Sequence, residues 1–282
     1  MRGCKTRSYT QFSSRGQTTP TPFLKWAGGK RWLAAHIENF LPPTFNRYFE
    51  PFLGSAAVFF HLRPRVATLS DINEDLINAY AQVRDNPSMI VEGLSALRVN
   101  GRTYLHIRKH KPRSDIGRAI RFIYLNKTAF NGLYRVNRNG DFNVPFAGNQ
   151  GRSVFDDAEL RSAAKLLRRC QVLSRDFEVA FSEAQAGDLI YCDPPYTVRH
   201  NNNGFIRYNE SLFSWGDQRR LAAAARKAVE RGIHVLVSNA QHESIRRLYR
   251  GFRVENLSRA SCMAGDPGRR GRTSEYLFIG NP

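Results

Sequence analysis

Residues Tyr48 to Asp71 read YFEPFLGSAAVFFHLRPRVATLSD, and this stretch decides the fold class. A short apolar run ends at Glu50-Pro51-Phe52, and a glycine follows at Gly54. Ala56 to Leu62 carry a helical pattern, and Val66 to Leu69 form a second apolar run that closes at Asp71. Strand, glycine turn, helix, strand and an acid about twenty residues past the glycine make the βαβ unit that cradles a nucleoside. In such a unit Gly54 lets a ligand approach the backbone, and Phe52 offers a ring for its base. Asp71 accepts hydrogen bonds from a ribose or faces a cationic group. A local alternative for Asp71 is to cap the helix expected over Glu74 to Arg84.

Downstream of that helix, residues 87–170 mix helical segments with a Gly- and Asn-punctuated stretch, Asn126 to Gly151. Asn139-Gly140 within it is a strong hairpin signal. Alternation then resumes. Asp188 to Cys192 and Ile233 to Val237 read as buried parallel strands, Trp215 to Arg231 and Glu243 to Tyr249 as helices, and Phe252 to Leu257 and Tyr276 to Ile279 as closing strands. The pattern predicts a Rossmann-like, doubly wound α/β domain from residues 20–85 and 170–282, with a helical and hairpin insert at 86–169. Residues 1–19, rich in Ser, Thr, Gln, Gly and Arg, read as a flexible basic arm.

The chain has 282 residues with 43 Lys+Arg against 24 Asp+Glu, a net charge of +19, and 41% hydrophobic residues. That composition belongs to a packed globular protein and excludes disorder as its main state. No apolar run reaches the roughly 18 residues of a membrane span, and the N-terminus has no apolar signal core. A soluble, cytoplasmic protein is expected. The positive charge points to a polyanionic partner, nucleic acid ahead of an anionic membrane surface, and Arg is the side chain suited to bidentate contact with phosphate or guanine. Cys4, Cys170, Cys192 and Cys262 show no C-x-x-C spacing and no grouped histidines, so neither a metal site nor a disulfide framework is indicated.

Asp193-Pro194-Pro195-Tyr196 directly follows the apolar run Leu189 to Cys192. In open α/β sheets the ligand crevice lies off the carboxyl ends of the strands, so this tetrapeptide stands where a substrate would. The prolines have no N–H and leave carbonyls that only accept; Asp193 adds a carboxylate and Tyr196 a flat π-surface. The set suits a planar molecule bearing an amino group. A rigid strand-to-loop turn is its purely structural alternative. Near the N-terminus, Trp26 and Lys30 flank Ala27-Gly28-Gly29: the glycines permit close backbone approach and Lys30 offers a cation for a carboxylate, with a helix-entry turn as the bland reading.

Together these blocks resemble the Dam-type DNA adenine-N6 methyltransferases, the D12 class or alpha group, over most of the chain from Phe23 to Ile279. The resemblance rests on Phe23-Leu24-Lys25-Trp26-Ala27-Gly28-Gly29-Lys30, Glu50-Pro51-Phe52-Leu53-Gly54, Ser70-Asp71-Ile72-Asn73 and Asp193-Pro194-Pro195-Tyr196. A fifth block, Phe130 to Asn137 with Phe142-Asn143-Val144-Pro145-Phe146, is similar to the family's DNA-recognition insert. It implies S-adenosylmethionine as cofactor, with S-adenosylhomocysteine as product and no metal. Trp26, Lys30, Phe52, Gly54, Asp71 and Asp193 would contact that cofactor, and Asp193, Pro194, Pro195 and Tyr196 would carry the chemistry. Lys25 would face DNA, Leu133, Arg135 and Pro145 would lie near bases, and Phe130 with Asn131 near the flipped nucleotide. The family usually has a second glycine two positions after the first, where this chain has Ala56. After Phe146 it commonly continues with glycine and basic or aromatic residues, where this chain has Ala147-Gly148-Asn149-Gln150-Gly151-Arg152, which leaves GATC or another target open.

Read as side chains, Lys127, Phe130, Asn131, Leu133, Arg135, Asn137, Arg138 and Arg152 are the sequence-reading candidates. Arg and Asn make bidentate contacts to guanine and adenine, and an aromatic ring can wedge into a stack that a base has left. A solvated basic hairpin with Phe130 in a minor core is the alternative. His200 to Gly204 reads as a lid or a solvated loop, and Gly265 to Arg272 as a phosphate-tracking loop. The partner expected is double-stranded DNA, no membrane, and the protein a monomer. Competing functions are cytosine-N4 methylation, a glutamine or RNA-base methyltransferase, and a catalytically silent DNA-binding module.

Overall fold

The computed structural model describes residues 20–137, 139–149, 151, 155–197, 213–260 and 272–282. The expectations for the arm at 1–19, Cys4, Arg138, Arg152, the loop of His200 to Gly204, Cys262 and nearly all of Gly265 to Arg272 lie outside them. The described chain is mixed α/β with a seven-stranded sheet and divides into two compact units.

One unit comprises residues 39–52 and 175–282. Its strands are β1 (Tyr48–Glu50), β4 (Leu189–Cys192), β5 (His234–Ala240), β6 (Arg253–Ala260) and β7 (Arg272–Gly280), in the order β1-β4-β5-β7-β6. β1, β4 and β5 are parallel, with Phe49 opposite Ile190 and Ile190 opposite Val235; β7 runs antiparallel to both β5 and β6. Buried parallel strands need apolar residues on both faces, and β4 is buried at all four positions. Helix α8 (Phe177–Glu183) is capped by Asp176, and α9 (Trp215–Glu230) by a full capping box between Ser214 and Asp217. α10 (Glu243–Leu248) follows β5. Leu221, Ala222, Ala225 and Ala228 of α9 repeat at helical spacing and bury one face in a core with Ile190, Val235, Val237 and Phe278.

The other unit comprises residues 20–38 and 53–174. It holds α1 (Arg31–Ala34), α2 (Ala57–Leu62), α3 (Glu74–Asp85), α4 (Pro87–Ser95), α5 (Gly101–Lys109), α6 (Asp115–Thr128) and α7 (Asp157–Leu167). Its strands β2 (Ala67–Asp71) and β3 (Cys170–Ser174) pair in parallel. Ser114 caps α6, and Asp156 caps α7 through two backbone N–H groups. The strand-turn-helix-strand reading of Tyr48 to Asp71 matches β1, α2 and β2.

Besides longer β6 and β7, two details differ from the sequence reading. The cap of α3 is Asn73, whose Oδ1 accepts from Leu76 N at 3.1 Å, and not Asp71, which lies two residues before the capping position. β5 runs on through Ser238, Asn239 and Ala240, all buried, where the expected strand stops at Val237. The polar pair ends the apolar run without ending the strand, because both side chains find partners inside the fold. β3 and α8, which the sequence reading did not single out, are short and give weak period signals.

Candidate active site

Within the unit of residues 20–38 and 53–174, the Gly54 turn is shaped by its neighbours. Gly54 takes φ +46°, and a Cβ there would sit 2.8 Å from the Trp26 indole, so only glycine fits. Ala56 takes φ +54° while almost fully buried, a left-handed conformation that costs a non-glycine residue about 1 kcal/mol. This chain keeps the turn and bears the strain.

Asp71 spans the two halves of this turn. Its Oδ2 accepts from Gly54 N at 3.3 Å and its Oδ1 from Asn73 N at 3.0 Å. Burial raises its pKa to about 6, against the opposing pull of those N–H groups. Ile72 beside it is 68% exposed. Lys30 is buried, and its Nζ donates to Gly28 O at 3.0 Å across a turn in which Gly28 has φ +78°. Trp26 stacks on Tyr134 with centroids 5.9 Å apart and 17° between planes, and Tyr134 in turn meets Phe142 at 5.8 Å. One file of rings therefore links the glycine turn to the stretch around Asn139-Gly140.

That stretch doubles back as expected, though through isolated bridges, Ala129 to Phe146 and Val136 to Phe142, instead of a continuous ladder. Asn137 Oδ1 accepts from the N–H groups of Asn139 and Asp141, closing the tip; Gly140 supplies φ +74°. Arg135 Nε donates to Asn143 Oδ1 at 2.8 Å. Phe130 is 51% exposed, Pro145 is exposed and Leu133 half-buried. Asn131, exposed, has φ +53°, and next to it Gly132 takes φ +62° where a Cβ would collide with the Lys25 side chain. Lys25 is exposed, and its pKa is lowered by desolvation and then by the charges of Lys127 and Arg31.

In the other unit, the tetrapeptide leaves the carboxyl end of β4. Asp193, half-buried, accepts the Ser238 hydroxyl at Oδ1, 2.8 Å away. Pro194 is buried; the carbonyl of Pro195 accepts from Gln218 Nε2 at 3.3 Å. Gln218 Oε1 accepts from Asn239 Nδ2 at 2.9 Å, and both amides are fully buried. The Tyr196 hydroxyl is raised well above its ordinary pKa by burial and by the neighbouring carboxylates of Glu275 and Asp193. Phe52 stacks on Phe177 at 5.4 Å with its ring edge-on to Phe213. A carboxylate, proline carbonyls and an aromatic ring thus stand together on a braced loop, an arrangement made to accept hydrogen bonds from a flat amine.

A family model for D12 class N6 adenine-specific DNA methyltransferases matches residues 26–262. The chain belongs to this family. It is similar to a type II methyltransferase of Lactococcus lactis subsp. cremoris, 35% identical over 266 residues that span 91% of this chain and 94% of the relative. A type II methyltransferase of Methanocaldococcus jannaschii is 36% identical, covering 84% and 90%, and a DNA adenine methylase of Vibrio cholerae is 37% identical, covering 92% and 96%.

This adenine-specific DNA methyltransferase acts on DNA and, by its family, takes a methyl donor of the S-adenosylmethionine type. The residues around the Gly54 turn fit such a donor: a glycine turn with the Trp26 indole against it, a carboxylate at the strand end for ribose hydroxyls, and a buried ammonium for a carboxylate. Among the described residues no His, Cys, Asp or Glu cluster is arranged to hold a metal, no helix is long and apolar enough to cross a membrane, and Cys170 and Cys192 are buried free thiols. The sequence reading of the methyltransferase missed Asn126, Gln218, Ser238 and Asn239. Each is polar, buried and bonded to a segment distant in sequence; the one local signal for Asn126, Ser238 and Asn239 was an amide or hydroxyl in or at the end of an apolar run, and Gln218, flanked by Asp217 and Arg219, gave none.

Proposed function

We propose that the enzyme uses S-adenosylmethionine, releases S-adenosylhomocysteine, and methylates adenine N6 after flipping the base out of double-stranded DNA. The observation that carries this reading is the braced acceptor set at the end of β4, where Asp193 is fixed by Ser238 and the Pro195 carbonyl by Gln218. An adenine N6 inside a base pair is out of reach of any side chain, so the base must leave the stack. Tyr196 stacks on it. Asp193 and the Pro194 carbonyl accept its two N–H groups, which draws the nitrogen lone pair out of the ring and aims it at the methyl group.

When bound, S-adenosylmethionine supplies a methyl group already activated by a sulfonium. N6 forms its bond to carbon as the sulfur–carbon bond breaks and then loses a proton, so the residues need to position and polarise, with no strong base and no metal. Asp71, Gly54, Trp26, Lys30 and Phe52 hold the donor, with Asp193 touching both substrates. Residues 86–169 serve as the recognition insert on the domain of residues 20–85 and 170–282; there Lys25, Leu133, Arg135, Asn137 and Pro145 meet the DNA, and Phe130 and Asn131 flank the vacated stack. The enzyme works as a monomer on DNA inside the cell. The names of the type II relatives favour a restriction-modification role.

The test incubates the protein with unmethylated plasmid DNA and S-adenosylmethionine, beside an Asp193→Ala control, and analyses the digested nucleosides by mass spectrometry. N6-methyladenine formed by the intact protein alone supports the assignment. Substantial product from Asp193→Ala overturns the assigned chemistry.

A further inference from the structure

The carboxylate at the head of the tetrapeptide ends a directed chain of hydroxyls. Ser238, fully buried on β5, lies 2.8 Å from Asp193 Oδ1, 3.2 Å from the Tyr191 hydroxyl and 3.5 Å from the Cys192 carbonyl. A serine hydroxyl has one proton and two lone pairs, and an Asp193 carboxylate offers acceptors only. The shortest contact takes the serine proton, because hydrogen bonds to ionised groups are the short, strong ones. Tyr191 must then donate to the serine oxygen. Burial and the charge of Asp193 raise the Tyr191 pKa well above its ordinary value, which keeps that proton on the phenol.

We infer that Ser238 is a positioning residue for methyl transfer, fixing the plane of the Asp193 carboxylate, and that Tyr191 strengthens this bond by donating to Ser238. The inference rests on the reading of Asp193 as acceptor of the adenine amine. Two features of the fold make the chain directional. Tyr191 and Asp193 are two residues apart, on the same face of the chain leaving β4, and β5 pairs with β4 in parallel, Cys192 opposite Val237, so that Ser238 is the next residue along. A bond fixed by strand register orients a catalytic carboxylate more sharply than a loop contact can. Hydrogen-bond chains also polarise along their length, so the hydrogen bond of the phenol reaches Asp193 through the serine.

The test measures single-turnover methylation of unmethylated plasmid DNA by the full chain, with binding of S-adenosylhomocysteine and DNA measured separately. Ser238→Ala should lower the single-turnover rate by about tenfold to a hundredfold, as for a lost hydrogen bond to a charged group. Both binding constants should stay within about twofold of the parent, which also reads a folded protein. Tyr191→Phe should lose only a few-fold in rate, and the double variant should be no slower than Ser238→Ala alone, because a phenol that acts through the serine has nothing left to act on. Ser238→Thr, which keeps the hydroxyl, should recover most of the rate. A Ser238→Ala enzyme at the parental rate, or one slowed only through weaker binding, overturns the role of Ser238; additive losses in the double variant overturn the chain. An inactive Asp193→Ala beside a fully active Ser238→Ala sinks this inference alone, whereas an active Asp193→Ala sinks the reading of the site itself.

Discussion

Asp71 shows how one residue carries two roles that sequence alone leaves superposed. A helix cap and a ribose acceptor both want an Asp just before a helix, and here the neighbouring Asn73 takes the cap and leaves Asp71 bonded to the Gly54 turn. Its pKa of about 6, raised from 3.8, has a defined sign. The folded state binds the proton more tightly, so this group's contribution to stability is full below pH 3.8 and fades as pH rises through about 6. A ribose hydroxyl needs the ionised form, so cofactor affinity should fall as pH drops below about 6. Titration calorimetry from pH 5 to 8 checks this, and Asp71→Asn should bind more weakly with a flatter profile; an unchanged profile in that variant would remove Asp71 from the site. At the same turn, Ala56→Gly relieves a left-handed alanine and should raise stability by about 0.5 to 1 kcal/mol, read as a higher denaturation midpoint. The gain stays small because glycine also gives the unfolded chain more freedom.

At the scale of elements, side chains between segments do what the backbone ladders leave undone. Asn126, on the buried face of α6, donates to Lys25 O and Gly132 O and accepts from Lys25 N. One amide therefore ties the segment of residues 20–38 to the turn that holds Asn131. Asn126→Ala leaves those backbone groups without partners and should cost roughly 2 to 4 kcal/mol of stability, measured by chemical denaturation. The ring file Trp26, Tyr134 and Phe142 is a second tie. Tyr134→Ala removes the surface on which Trp26 stacks and should weaken cofactor binding by about three- to tenfold, while Tyr134→Phe should leave it near parental, since aromatic pairs contribute about 0.5 to 1.5 kcal/mol through the ring. Equal losses in both variants would assign the effect to the hydroxyl instead.

For the whole molecule the governing quantity is charge. A net +19 on a chain that binds DNA gives affinity that falls steeply with salt, because each phosphate neutralised releases condensed counterions. Lys25 sits against Lys127 and Arg31, and such crowding is relieved by an anion. Lys25→Ala should therefore weaken binding to all duplexes alike and reduce the log–log salt slope by about one. A mutant with an unchanged slope and altered sequence preference would instead make Lys25 a reader of bases.

The amino-acid sequence by itself determined what local chemistry can encode. The βαβ unit was legible at Gly54 and Asp71 because turn, helix and strand signals there are short-range, and the tetrapeptide at Asp193 was legible because prolines after an apolar strand admit few conformations. Family resemblance on those same residues carried the activity. Tertiary structure alone decided that Asn73 and not Asp71 caps α3, that β5 continues through a buried serine and asparagine, and that Asn126 closes on a segment 101 residues away. The reason is physical: a buried polar side chain is stable only when its partner arrives, and that partner comes from a distant part of the chain that no local pattern records.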